Sequence, residues 1–371
     1  MKKKILFLTA FVPNDAAAAE KNTKLMLADL SREYDVDLLY FKYADEKDYI
    51  APNERVNILK VCNNSFFKKI RNIVMFPFVH PMFSVRYSRN VLSFLNERMK
   101  SVNYDAIVCD HSQMFLYGKY LKTDIPRIML AHDVIAQRVE RTSNTFIRWI
   151  CTKSEGFAMS LNNAHVFSFS QKDCDLIKEI YGISAQLNLD YIAPAVIEAI
   201  PNSIENSYIF IGKWPRADNL DGIVWFFKEV APLIKENVTI SIIGKGFPND
   251  KISNSNPRIK VNILGFVNNP YDMIANCTAV LSPLFTGAGI KVKVIESLAC
   301  GAPVIGTSIA FEGLDTKFSD FMLLCNEPSD YINAMEIAKM KALEERKQMK
   351  KMFIADYQSE TIPNYLKKIL A

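Results

Sequence analysis

Short, continuously apolar runs alternate with stretches of helical spacing along nearly the whole chain, and that alternation leaves few folds open. The runs are Lys4–Phe11, Val36–Tyr40, Ala106–Cys109, Arg127–Ala131 and Val166–Ser170. A second set follows at Tyr208–Gly212, Thr239–Ile243, Val261–Leu264, Ala279–Leu281 and Val304–Gly306, with a short one at Met322–Leu324. A strand covered by helices on both faces is apolar throughout, whereas a half-exposed strand alternates. Separated by helical segments such as Gly222–Ile234 and Lys293–Cys300, these runs predict parallel βαβ units. Tyr191–Ile197, with Pro201 after it, reads as a strand end and linker. The expected class is α/β: two Rossmann-like, doubly wound domains facing a cleft, residues 1–198 and 199–354. At 371 residues the chain has room for about two domains. Ligands of such sheets bind outside the carboxyl ends of the strands, so the loops leaving strands carry the functional information.

Several classes are excluded before any site is considered. No apolar run approaches the ~18 residues of a spanning helix. The seven cysteines are odd in number and form no C-x-x-C pair, which predicts reduced thiols and neither a disulfide framework nor a zinc site. A net charge of +5 is too small to imply nucleic acid. Met1–Lys4 with the apolar run behind it has the outline of a secretory leader, but the run is short and contains Thr9, so a first buried strand is expected. Neither a P-loop nor a G-x-S-x-G elbow is present.

The densest segment runs from Pro283 to Thr307. A strand ends at Ser282, a loop with Gly287 and Gly289 follows, and Ile290 leads into a helix that carries Lys291, Lys293 and Glu296 near its start. Glycines let backbone N–H groups approach an anion, and a helix N-terminus favours negative charge. Lysines at that end oppose the helix dipole, a placement that makes sense when an anion sits there. Gly301 is expected to end the helix and Pro303 to open the next strand.

This stretch resembles the donor-site signature of the GT-B glycosyltransferases, in particular the large retaining group numbered family 4. In that group a Glu-x7-Glu motif precedes Ala-x-Gly-x-Pro-Val. The second glutamate matches Glu296, which the resemblance makes the ligand of the nucleotide ribose. The first falls on Ala288, so the chain follows the Gly-x-Gly-x-Lys-x-Lys-x-x-Glu variant instead. The segment Phe210–Ile223 resembles the family's first C-terminal-domain loop, which implies Lys213 and Arg216 as cations for the donor diphosphate. The family's usual lysine before the next helix is missing, with Asn219 near its place. Gly265-Phe266-Val267 resembles the turn whose backbone reads the donor base. The resemblance further implies a final helix, about 355–371, that crosses back to the N-terminal domain.

In the N-terminal half, His132 ends a strand where the family has a histidine on the donor sugar. Asp133 beside it is expected either to orient that ring or to cap the next helix. Asp110 and His111 end another strand and are candidates for acceptor contacts or for capping. Asp15, with Ala16–Ala19, fills the loop after the first strand and resembles the family's acceptor loop. The pairs Asp35-Val-Asp37 and Asp173-Cys-Asp175 could suggest a metal–diphosphate site. The first opens an apolar strand and the second a helix, so no metal and no cofactor is expected.

Between residues 60 and 100 there are eight Lys/Arg and one acid, Glu97, with phenylalanines interleaved. Residues 66–89 are read as a peripheral membrane contact or, alternatively, as a helix whose Phe66 and Phe67 cover the core. Together these features imply a glycosyltransferase of hexosyltransferase type, cytoplasmic or at the inner face of a membrane. It would move a sugar from a nucleotide-sugar to a hydroxyl of a glycan or lipid-linked acceptor in surface polysaccharide or glycoconjugate synthesis, with retention. Lys213, Arg216, Lys291 and His132 would serve the reaction. Ala288 keeps a second reading open, a non-catalytic partner subunit of the same fold.

Overall fold

The computed structural model describes residues 2–15, 18–140, 143–189, 192–202, 206–287, 289–358 and 361–371. The chain forms two compact units, Met1–Tyr191 with Glu360–Ala371, and Ile192–Ser359.

The first unit holds seven parallel strands: β1 Lys4–Thr9, β2 Asp35–Lys42, β3 Val56–Asn63, β4 Ala106–Asp110, β5 Arg127–Ala131, β6 Ala164–Ser168 and β7 Ala185–Leu187. Their order is β3-β2-β1-β4-β5-β6-β7, so the winding reverses between β1 and β4. Ile5–Leu8 and Ile107–Cys109 are fully buried, as strands covered on both faces must be. β3 and β7 were not expected. β3 is an edge strand in which Asn57 and Lys60 interrupt the apolar pattern, and β7 has only three residues.

The second unit has six parallel strands: β8 Ser207–Ile211, β9 Val238–Ile243, β10 Ile259–Gly265, β11 Ala279–Ser282, β12 Val304–Gly306 and β13 Met322–Leu324. The order β10-β9-β8-β11-β12-β13 reverses between β8 and β11. The expected helix from Gly222 to Ile234 is an α-helix over Ala217–Trp225, a wider π turn over Phe226–Val230 and a tight 3-10 turn over Ala231–Leu233, where Pro232 cannot donate.

The division between units falls at 191/192 and 359/360, against the expected 198/199 and 354/355. Two local features account for it. Pro194 presets the first turn of a helix over Pro194–Glu198, where a strand end had been expected. The Lys350 ammonium donates to the Val196 carbonyl at 2.7 Å and ties that helix to the second unit. In the helix Leu343–Tyr357, the Arg346 guanidinium donates to the carbonyls of Gly301, Cys277 and Ala275 at 2.7–2.9 Å. The helix Ile362–Leu370 belongs to the first unit. The Ile362 amide donates to the Asn188 side chain at 2.9 Å, and Tyr365 bonds His165 at 2.7 Å.

Both Asp-x-Asp pairs have structural roles. Asp37 lies at the amino end of β2, buried, holding Tyr104, Asn57, Arg98 and Lys4. Its carboxyl is held below the ordinary range because these partners outweigh the cost of burial. Asp173 sits in the first turn of the helix Gln171–Tyr181, and its amide donates to the Ser170 cap at 3.0 Å. All seven cysteines are buried free thiols. No helix among the described residues is long and apolar enough to cross a membrane. Phe66 and Phe67, in the helix Phe66–Met75, are 72% and 82% exposed, so they do not cover the core.

Candidate active site

In the second unit the strands deliver their loops to one edge. The helix Ala217–Trp225 lies so close to the loop after β11 that a Cβ on Gly222 would come 2.0 Å from the Pro283 carbonyl. Gly287 and Gly289 have φ of +122° and +70°, values that favour glycine and fold the loop onto the start of the helix Val292–Ala299. Ala288 between them lies outside the described residues.

That fold gathers the cations. The Lys291 ammonium donates to the Gly289 carbonyl at 2.5 Å and lies 3.8 Å from a Glu312 oxygen. The Lys293 ammonium donates to Asn219 Oδ1 at 2.8 Å, and the Asn219 amide donates to the Lys213 carbonyl at 3.1 Å. Asn219 therefore ties the loop after β8 to the lysine helix. Burial pushes the Lys293 ammonium down to about 8; Asp218 opposes the shift, and the cations Arg216 and Lys291 add to it. Arg216 forms a two-pronged pair with Asp218, at 3.0 and 2.7 Å. The Lys213 side chain is exposed. Glu296, one turn further along the helix, accepts from the Tyr271 hydroxyl at 2.9 Å. Ile290 and Val267 are half-buried, and Phe266 is exposed on the turn after β10. A partly desolvated lysine among other cations is unfavourable by itself and becomes favourable when an anion is held there. The arrangement is suited to a diphosphate beside a group carrying hydroxyls.

In the first unit the switch point between β1 and β4 carries a separate cluster. Parallel pairing sets Thr9 beside Asp110. The fully buried Asp110 carboxylate accepts from Thr9 Oγ1 at 2.8 Å, from Thr23 Oγ1 at 2.7 Å and from His132 Nε2 at 2.7 Å. Burial alone would raise its pKa; His111, His132 and Thr23 reverse that and hold the carboxyl far below the usual range. His111 has φ +70° and stacks on His132 with ring centroids 3.8 Å apart and planes 18° apart. Burial pushes the His111 imidazole down to about 3.

Asp110 and His111 are buried, and both bear on His132, Asp110 through the bond to Nε2 and His111 by stacking. The carboxylate bonded to the His132 ring is that of Asp110, and at the start of the helix Ile135–Glu140 Glu155 accepts from the amides of Ile135 and Ala136 at 2.9 Å each. Asp15 pairs with Lys24 at 2.6 Å, while Ala16 and Ala17 lie outside the described residues.

Asp110, His111 and His132 bring three ligand-type atoms within 4.8 Å of one another. Their geometry does not suit an ion. Nitrogen lone pairs lie in the ring planes, so two nearly parallel stacked rings cannot both point at one metal. The Asp110 oxygens are already taken up by hydroxyls and an imidazole. Thr9, Thr23 and Tyr271 lie outside the expected site, whereas Lys293 and Asn219 had been read beside it, as a lysine at the helix start and as the residue near the missing loop lysine. Thr9 left only the trace of a hydroxyl at the end of an apolar strand.

Residues 205–338 match the family model described as Glycosyl transferases group 1. A curated relative, an uncharacterized 44.6 kDa protein in the cps region of Klebsiella pneumoniae, is 23% identical over 87% of this chain and 88% of its own. Among solved structures, sucrose-phosphate synthase from Thermosynechococcus elongatus is similar over 99% of this chain and 98% of its own, at 11% identity and a TM-score of 0.65. WaaG, a glycosyltransferase involved in lipopolysaccharide biosynthesis, is similar over 99% of both chains, at 12% identity and a TM-score of 0.63. Anabaena HepE in complex with UDP-glucose is similar over 99% of this chain and 98% of its own, at 14% identity and a TM-score of 0.60. Two Rossmann-like parallel-sheet domains with such neighbours make the fold GT-B.

Proposed function

We propose that the protein transfers a hexose, with retention, from a nucleotide-sugar to a hydroxyl of a glycan or lipid-linked acceptor in surface polysaccharide synthesis. The observation that carries this reading is the coincidence of two things in residues 205–338: the group 1 glycosyltransferase match, and a glycine turn that gathers Lys291 and Lys293 beside Glu296. The gene neighbourhood named for the Klebsiella relative favours the pathway. Glu296, oriented by Tyr271, would hold the ribose hydroxyls. Val267 and Phe266 would meet the base, and Lys213, Arg216, Lys291 and Lys293 the diphosphate. As the bond from the anomeric carbon to the diphosphate oxygen breaks, negative charge grows on that oxygen, and cations placed there lower the barrier. The same oxygen takes the acceptor hydroxyl's proton while the new glycosidic bond forms. No protein base is then needed. His132, held through Nε2 by Asp110, keeps Nδ1 for a sugar hydroxyl. The acceptor would meet the first unit, with residues 66–89 at a membrane surface.

Side-chain cations here do the charge work that a divalent ion does elsewhere. The expected result is that one member of a panel of nucleotides and nucleotide-sugars stabilises the protein by ~2.7 kcal/mol at 100 times its dissociation constant. For a unit of this size that is a Tm rise of roughly 5–10 °C, and it survives excess chelator. A panel without any shift would sink the donor assignment. A shift abolished by chelator and restored by Mg²⁺ or Mn²⁺ would sink the metal-free reading.

A further inference from the structure

Phe41 and the segment 60–91 line an open-mouthed cavity of about 500 Å³ in the first unit. Its lining includes five basic residues, Lys60, Lys68, Arg71, Arg86 and Arg89, and no acid. Asn72 fixes the geometry. It is the buried residue of the helix Phe66–Met75, and its amide donates to the carbonyls of Ser84 and Tyr87 at 2.9 and 2.7 Å. Together with the Lys69 ammonium, which donates to the Tyr43 hydroxyl, it pins an otherwise exposed helix as the outer wall. Arg86 forms the inner wall. It is 7% exposed, its Nε has no hydrogen-bond partner among the described residues, and its guanidinium lies 4.5 Å from the Phe11 ring centroid. Phe11 in turn packs edge-on against His111. Burying an arginine with an unmet donor is costly unless something accepts from it. The acid whose charge most affects Arg86, Glu46, is engaged by the Tyr43 amide at 2.6 Å.

We propose that this cavity binds the phosphate or diphosphate group of the acceptor, carried on a lipid. A guanidinium meets phosphate oxygens through two parallel N–H donors, and several cations around one small volume suit a dianion. The lipid source follows from the outer wall. Phe66, Phe67, Ile70, Val74 and Phe78 are exposed around the same helix, the arrangement of an amphipathic segment lying in a bilayer interface with its cations at headgroup depth. A second copy of the chain is a poor occupant, because it would set five cations against five. This proposal rests on the glycosyl-transfer reading and names the class of its acceptor.

The test is titration calorimetry on the full chain, with the nucleotide site kept saturated by the best nucleoside diphosphate of the panel. The probes are inorganic pyrophosphate, farnesyl diphosphate and farnesol, the last two in neutral phosphatidylcholine vesicles. Farnesyl diphosphate is expected to bind more tightly than pyrophosphate, with farnesol weakest. Arg86→Met, or Lys68→Met with Arg89→Met where Arg86→Met does not fold, is expected to weaken both phosphorylated probes on the order of 10- to 100-fold. Phe66→Ser with Phe67→Ser should weaken farnesyl diphosphate alone. Folded Arg86 and Lys68/Arg89 variants that bind both probes like wild type would overturn the site. Equal affinity for pyrophosphate and farnesyl diphosphate would overturn the lipid source and leave a free-phosphate site. Nucleoside diphosphate binding itself is read in the same instrument. Its loss in the wild type would count against the glycosyl-transfer reading, and its persistence with no second site would count against this proposal alone.

Discussion

Methionine at both Lys291 and Lys293 is expected to lower kcat/KM for the donor on the order of 100- to 10,000-fold. Each ammonium would make a charge-assisted contact worth ~1.5–3 kcal/mol, and the two act on one diphosphate. Methionine keeps the length and apolar body of the stem, so the Val292–Ala299 helix should stand. Removing the partly buried Lys293 charge should, if anything, raise the stability of the ligand-free protein. The pH profile separates this from simple misfolding. Burial holds the Lys293 ammonium near 8 without ligand. A bound diphosphate raises that value, so binding takes up a proton above pH about 8. Donor affinity should fall as pH rises through that range, and Lys293→Met alone should flatten the limb. The same depressed pKa penalises the folded state below about 8 and relaxes toward the unfolded value of ~10.4, so ligand-free stability gains from this residue as pH rises. Wild-type kinetics in the double variant would remove both lysines from the site.

Asp110→Ala should be the most destabilising single change at the first-unit cluster, at ~3–5 kcal/mol, a Tm loss of roughly 10 °C or more. It leaves two buried hydroxyls and an imidazole without their common acceptor. The folded carboxyl is held far below the unfolded value, so its contribution is complete above the unfolded pKa of ~3.9 and is lost as pH falls below it. The measurement is chemical denaturation of wild type and variant at neutral pH and again near pH 3, where the difference should narrow. Asp110→Asn keeps the volume and one acceptor, so it should retain more stability. A loss below about 1 kcal/mol for Asp110→Ala, within the range of an ordinary neutral hydrogen bond, would mean that the cluster is not a charged network.

The particular residues show what a single sequence can and cannot carry. β5 at Arg127–Ala131 and β12 at Val304–Gly306 were located residue for residue, because strands buried on both faces leave an uninterrupted apolar signature. β3 has one sheltered face and mixes Asn57 and Lys60 into its pattern, so nothing separated it from a loop. The glycine turn and lysine helix were legible because a strand, a turn and a helix start are local. The bond from Lys293 to Asn219 spans 74 residues and exists only once β8 and β11 are neighbours. The histidine site shows the same limit. Asp133, next in the chain, was weighed as the partner of His132 or as a helix cap. Parallel pairing of β4 with β5 sets Asp110 opposite Leu130, and the loop beyond brings His132 back over it. A partner brought in by sheet pairing, 22 residues away, leaves no local signal in the sequence.

Release of nucleoside diphosphate from a panel of nucleotide-sugars, with chelator present and a lipid-linked acceptor supplied, tests the central claim most directly. The account predicts release from one donor, dependent on acceptor. Glu296→Gln should weaken affinity for that donor on the order of 10- to 100-fold, through loss of a charge-assisted contact to the ribose. Tight donor binding without release from any nucleotide-sugar would contradict it, and would make the chain a non-catalytic GT-B partner subunit in which the change at Ala288 has cost the chemistry.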